Sequence, residues 1–422
     1  MTLALGVFGW TFAAQAANDS LFSQQWGLAK IQAEQAWSVS RGTGVKVAVI
    51  DTGVDFGQPD LAGKAEGSFN CIKDSERVDD PCDPAPDGDD NGHGTEIAGI
   101  IAASEGNSVG ISGVAPGARI MSLKALGEDG SGDLSSVLRS INFAADNGAR
   151  VINLSLGPEV NLINDLLGLL LGGGNPKQEF QQAFDHAASQ GALVVAAAGN
   201  SGTSSFFAGL QNVFVVGSTG PGDEVAFYSS SGAEIFAPGG NSSGACTPAN
   251  CILTTSPRGY TAVQGTSFAA PHAAGVAALL AAKGISGSEA RSKIIQTADP
   301  IPGGRRVNAA MAVGGQSAEQ RPGALPAPSA PARRAATPGQ SKPTVAPAAS
   351  PPPPAADPSP GPLPVLQLKG SGPAVHPNDS QLTTAQGQRK PVPKAWVVVS
   401  VALAATIAIG HSLYFILRRH RI

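Results

Sequence analysis

The sequence predicts an α/β fold built on a mainly parallel central sheet flanked by helices on both faces. From about Ser20 to Ala312, short β-branched runs alternate with longer helical patterns, the order expected of a covered parallel sheet. Glycine dominates the first three quarters of the 422 residues, then gives way to proline after about residue 320, which marks where that pattern stops.

The segments Val45–Ile50, Arg119–Leu123, Val151–Ser155 and Leu193–Ala197 read as buried strands. Ser135–Asn147 and Gln178–Gln190 read as helices, each ending near a glycine able to take the left-handed cap conformation. The alternating region gives a globular domain at 18–314. Residues 315–394 are rich in proline and alanine, including Pro351–Pro354, and bury too little apolar surface to offset chain entropy. They read as a disordered, extended stalk.

The two ends carry targeting patterns. Leu3–Ala14 is an apolar run closed by the small-x-small pattern Ala14-Gln15-Ala16, so 1–17 reads as a signal peptide, although it lacks a basic start. Only a few residues separate it from the domain, so either the domain folds without a preceding pro-segment or the true start lies upstream. Ala395–Leu417 is uncharged and long enough to span a hydrocarbon core of about 30 Å, and a basic tail, 418–422, follows it. The expectation is a single-pass membrane protein with its domain outside the cytoplasm.

A net charge of −4, with 14% charged residues, gives no electrostatic reason to expect a nucleic-acid partner. Four cysteines allow three pairings. Local pairing, Cys71 with Cys82 and Cys246 with Cys251, is favoured because each pair lies in a turn-rich stretch; four free buried thiols are the alternative.

Three segments place a reactive side chain at a glycine-rich junction. Asp51-Thr52-Gly53 ends a strand, where a carboxylate can fix the tautomer of an imidazole. Asn91-Gly92-His93-Gly94-Thr95 precedes a small-residue helix, Glu96–Ala103. Gly265-Thr266-Ser267-Phe268-Ala269-Ala270-Pro271 opens an apolar helix, whose free N–H groups and dipole act on Ser267. Singly these patterns are common in turns and caps. Together, in the order Asp, His, Ser, they resemble the three signature blocks of the subtilisin-like serine proteases. The resemblance covers roughly Asp19–Ala312 and is nearest to the thermitase-like branch, through Asn18–Phe22, Gln25–Leu28 and Pro59–Lys64.

That resemblance implies a three-layer subtilisin-like fold and hydrolysis of peptide bonds in polypeptide substrates. It implies Ser267 as nucleophile, His93 as its base and Asp51 as the carboxylate that orients His93. Asn200, in Ala196–Gly202, falls at the oxyanion position. Gly130, Ser131 and Gly132, with Ser155, Leu156 and Gly157, would be the two edges that take a peptide as an added strand. Those segments, with Ala197, Ala198 and Gly199, would border an uncharged pocket, hence an apolar or broad preference. His272 would pack within the helix of Ser267.

Calcium is implied at Asp60 and Asn107, closed by Asp19 from the N-terminal arm. The acidic run Asp79–Asp90 reads as a solvated loop, with a second ion site as the alternative. The chain departs from the family in the leucine-rich insertion 158–176, read as a lid, a partner patch, a membrane-touching loop or an extra helix, and in Phe206-Phe207-Ala208 near the pocket wall. Two rival readings are a catalytically silent scaffold and, from the segment layout, a mycosin-like protease of a secretion system.

Overall fold

The computed structural model of the chain describes residues 18–158, 175–315 and, as backbone, 365–367. The signal peptide at 1–17, most of the insertion 158–176, the rest of the stalk, the apolar span 395–417 and the tail 418–422 lie outside the described residues. Among those described, no helix is long and apolar enough to cross a membrane.

Strands β1 (Lys46–Asp51), β3 (Ala65–Asn70), β6 (Arg119–Lys124) and β8 (Val151–Leu154) form one half of a ten-stranded sheet. β10 (Leu193–Ala197), β11 (Val213–Thr219) and β12 (Ile235–Pro238) extend it. Short strands β4 (Asp83–Pro84), β15 (Asp299–Ile301) and β16 (Gly304–Arg306) complete the order β15-β16-β12-β11-β10-β8-β1-β6-β3-β4. Neighbours run parallel except at the rims, where β3 with β4 and β15 with β16 are antiparallel.

Register alternates side chains between two cores. Val47 and Val49 of β1 join one cluster; Ala48 and Ile50 join the other. The first is covered by α3 (His93–Ala102) and α6 (Thr266–Ala281), the second by α4 (Leu134–Asp146) and α5 (Pro176–Ser189). Three layers result. Thr266 through Leu280 are all buried, which explains the lack of a polar face on α6. Phe206 and Phe207, read from sequence as pocket-wall residues, pack with Phe180 and Phe184 of α5 in an aromatic cluster with centroids 5.2–5.8 Å apart. They fill the second core.

Both local cysteine pairs are bonded, Cys71–Cys82 and Cys246–Cys251, and no described cysteine is free. The first closes a loop tied to α4 by the fully buried Arg139, which donates to the carbonyls of Cys71, Ser75 and Arg77. A buried guanidinium needs such partners.

A second, three-stranded sheet has the order β7-β17-β9, from β7 (Gly132–Asp133), β9 (Gly157–Pro158) and β17 (Val365–Gln367). β17 lies in the stretch read from sequence as an unfolded stalk. Its strand state has a physical reason: two facing edges with unpaired N–H and C=O groups accept an extended chain between them.

Candidate active site

Asp51 closes β1 and is fully buried. His93 is the first residue of α3, and its Nδ1 lies 2.8 Å from Asp51 Oδ1 and 3.0 Å from Oδ2. The helix comes this close to the strand end because residue 94 is glycine: a Cβ there would stand 2.0 Å from the Gly53 carbonyl oxygen. Burial alone would lower the affinity of the imidazole for a proton, but the charge and hydrogen bond of Asp51 oppose it, helped by Glu96 and Asp89. The balance raises His93 above its ordinary value.

Ser267 is the second residue of α6 and is fully buried. Its Oγ and His93 Nε2 are both buried and both lack a hydrogen-bond partner. A buried polar atom left unpaired costs about 1–3 kcal/mol, so two such atoms, one at the start of α3 and one at the start of α6, mark groups kept open for chemistry.

Asn200 follows β10. Its Oδ1 accepts from Thr266 N at 2.9 Å and from Thr266 Oγ1 at 2.8 Å, while Gly199 N donates to Thr266 Oγ1 at 3.0 Å. Thr266 therefore clamps the 197–200 segment to the start of α6. With Oδ1 committed, Nδ2 is the end of the Asn200 amide left to donate. Thr266 drew no functional reading from sequence beyond its place in the signature block.

The two edges also meet the site. Gly130 forms a turn with a bond from its N–H to Gly127 O, and Ser131 O accepts from Gly127 N, before Gly132 enters β7. On the other edge Ser155 and Leu156 are buried and Gly157 enters β9. β17 pairs in parallel with both, Val365 opposite Gly157 and Leu366 opposite Gly132. Ala197 and Ala198 are buried behind Asn200.

Sequence reasoning missed a carboxylate beneath His93. Asp89 was read as part of a solvated acidic loop, yet Oδ1 accepts from Thr52 Oγ1, Asn91 N and Gly92 N, and Oδ2 from Thr95 N and Oγ1. It fastens the turn carrying His93 to the end of β1. The run Asp89-Asp90-Asn91-Gly92, an acid ahead of a helix start, is the signal that pointed to it. His272 donates from Nδ1 to the Phe268 carbonyl, 2.8 Å away, and burial pushes it down to about 4, so it stays neutral.

Asp19, Asp60 and Asn107 converge on the loop Gly106–Ile111. Asp19 accepts from the N–H groups of Gly106, Asn107 and Ser108 and from Ser112 Oγ. The fully buried Asp60 accepts from Asn107 Nδ2 and Ile111 N. Among the described residues no group of three or more His, Cys, Asp or Glu side chains converges as a metal site. Asp60 and Asn107 do offer hard oxygen donors beside Tyr260, whose buried hydroxyl has no hydrogen-bond partner and is pushed up to about 12 by burial and by Asp60. Asp60 and Asn107 carry the oxygen donors that a small oxygen-seeking cation takes, but Asn107 turns Nδ2 toward Asp60 while its Oδ1 accepts from Val109 N, so the amide would have to flip to bind one. Asp19 is already committed to four donors and would have to give one up.

Comparison with known proteins identifies the family. The profile of the subtilase family, peptidase S8, matches residues 42–325. Thermitase of Thermoactinomyces vulgaris is 41% identical over 290 residues, covering 68% of this chain and 92% of that protein. A thermophilic serine proteinase of a Bacillus species, strain AK1, is 40% identical over 297 residues, covering 69% of this chain and 66% of that protein. Among solved structures, a protease from Pseudoalteromonas arctica superposes with a TM-score of 0.60 at 29% identity, over 71% of this chain and 99% of that one. A catalytic-looking Asp, His and Ser on a mainly parallel sheet and a family match over two thirds of the chain lead to one conclusion: this chain is a serine endopeptidase of the subtilase family.

Proposed function

We propose that Ser267, His93 and Asp51 act as the catalytic triad of this peptidase. The observation that carries the reading is the bond of His93 Nδ1 to both Asp51 oxygens, with His93 Nε2 and Ser267 Oγ buried and unpaired. Ser267 Oγ attacks the scissile carbonyl as His93 Nε2 takes its proton. His93 then protonates the leaving amine, the acyl-enzyme forms, and water reverses the sequence. Asp51 stays ionised, orienting the ring and stabilising its charged form. Asn200 Nδ2 and the backbone N–H of Ser267 donate to the oxyanion.

The peptide is held mainly by its backbone as a strand between Gly130–Gly132 and Ser155–Gly157. Support comes from β17, which pairs with both edges at once. Ala197, Ala198 and Gly199 carry no charge, which favours an apolar or broad preference at the residue before the cut. Calcium, held by Asp60 and Asn107 with Asp19 closing the loop, is a structural ion in this reading and takes no part in the reaction.

The enzyme works outside the reducing cytoplasm, tethered through the apolar span 395–417. The two disulfides support the compartment. Purified Ser267→Ala should lose casein hydrolysis and labelling by a serine-reactive fluorophosphonate while keeping its melting temperature. A variant that still cleaves casein would remove Ser267 from the nucleophile role.

A further inference from the structure

α6 contains a proline four residues after Ser267. In an α-helix the carbonyl of residue 267 would accept from the N–H of residue 271, and Pro271 has none. The carbonyl next to the nucleophile is thereby released from its regular partner inside a buried helix. A buried carbonyl needs a donor.

The donor comes from another element. Ser155 Oγ donates to the Ser267 carbonyl at 2.6 Å, and Asn153 Nδ2 donates to Ser155 Oγ at 2.9 Å. All three residues are fully buried. Asn153 sits within β8, paired on one side with Val49 of β1 and on the other with Val195 of β10, so the chain of bonds starts from the rigid centre of the sheet.

We infer that Ser155 is a positioning residue for Ser267, acting through its hydroxyl, in addition to the place of its backbone on a substrate edge. The hydroxyl stands in for the N–H that Pro271 removes and fixes the first turn of α6. Ser267 Oγ is set by that turn relative to His93 Nε2. The same residue leads two positions on into β9, so peptide edge and nucleophile share one anchor. This inference rests on Ser267 being the nucleophile.

A double-mutant cycle on the full chain tests it, reading kcat, KM, fluorophosphonate labelling rate and melting temperature. Ser155→Ala should lower kcat and the labelling rate by on the order of ten- to a hundred-fold, the scale of a small misplacement of a reacting group, with KM changed little. Pro271→Ala restores an N–H at the i+4 position. In that background, removing the Ser155 hydroxyl should cost less than about three-fold, because the carbonyl keeps a partner. A loss as large as in the native background would overturn the inference, as would a native-like kcat in Ser155→Ala. If Ser155→Ala does not accumulate, the comparison of Pro271→Ala with Pro271→Ala/Ser155→Ala decides it alone. Loss of all labelling in Ser267→Ala, with no effect of Ser155→Ala, would leave the nucleophile standing and remove only the positioning role.

Discussion

The proton-binding balance of His93 depends on more than its triad partner. Glu96, one turn along α3, is pushed up to about 7 by burial, with the charge of Asp89 and Asp51 adding and His93 opposing. Its own negative charge in turn helps raise His93. General-base catalysis needs neutral His93, so the acid limb of kcat/KM should lie above the ordinary imidazole range, shaped by two coupled groups. Glu96→Gln removes one negative neighbour, which destabilises the imidazolium and moves the limb to lower pH. The variant should keep more of its plateau activity just above pH 7, where native Glu96 carries its charge, than the native enzyme. An unmoved limb in a pH profile of kcat/KM would show that Glu96 does not act on His93. His272, held near 4, contributes nothing in this range.

At the scale of elements, the loop 106–111 joins the N-terminal arm to the start of the domain. Asp19 gathers three of its N–H groups and Leu21 N bonds to Gly110 O, while Asp60 reaches it from the 3-10 turn Pro59–Leu61. An ion bound there only in the folded state stabilises by mass action, about 2.7 kcal/mol at a hundred-fold excess over its dissociation constant. For a domain of this size each kcal/mol is worth about 2–4 °C. In Ser267→Ala protein, where self-digestion cannot confuse the measurement, EDTA should lower the melting temperature by several degrees and added Ca²⁺ restore it. Indifference to both would end the calcium assignment. What was legible in sequence divides along the same line. Strands such as Leu193–Ala197 and the helices at 134–146 and 176–189 show through local apolar pattern, with ends within a residue or two. Asp51, His93 and Ser267 show because each sits in a distinctive glycine-rich block. The bond of Asp89 to Thr52 and the hydroxyl of Ser155 do not, since those partners lie 37 and 112 residues away and no local pattern encodes such bonds. β17 was hidden for a related reason: its strand state comes from the edges it meets, and its own composition reads as stalk.

Across the whole molecule, the candidate chemistry collects at one end of one sheet. Asp51 ends β1, Ser155 follows β8 and Asn200 follows β10, and these three strands are adjacent in the order β10-β8-β1. The carboxyl ends of parallel strands are where open α/β sheets bind ligands, because loops there are free to vary while the strands hold them in place. α6 runs under the same strands and delivers Ser267 to that end. The groove beside it is bounded by β7 and β9, and the protein's own residues 365–367 pair with both edges. Ser155 adjoins Ser267, and β17 runs parallel to the 157–158 edge, so it leads away from the nucleophile as it proceeds. A segment tethered within the same chain competes at an effective concentration of about millimolar, and with an affinity near 0.1 mM it would raise the apparent KM by on the order of ten-fold. A chain ending at residue 330 should therefore show a KM lower by about that factor with kcat unchanged, measured on a short peptide substrate. Leu366→Pro in the full chain should give the same result, since it removes the N–H that a strand between two edges needs. If KM is the same in all three proteins, the strand at 365–367 does not compete with substrate. If kcat falls on truncation, residues beyond 330 belong to the catalytic fold.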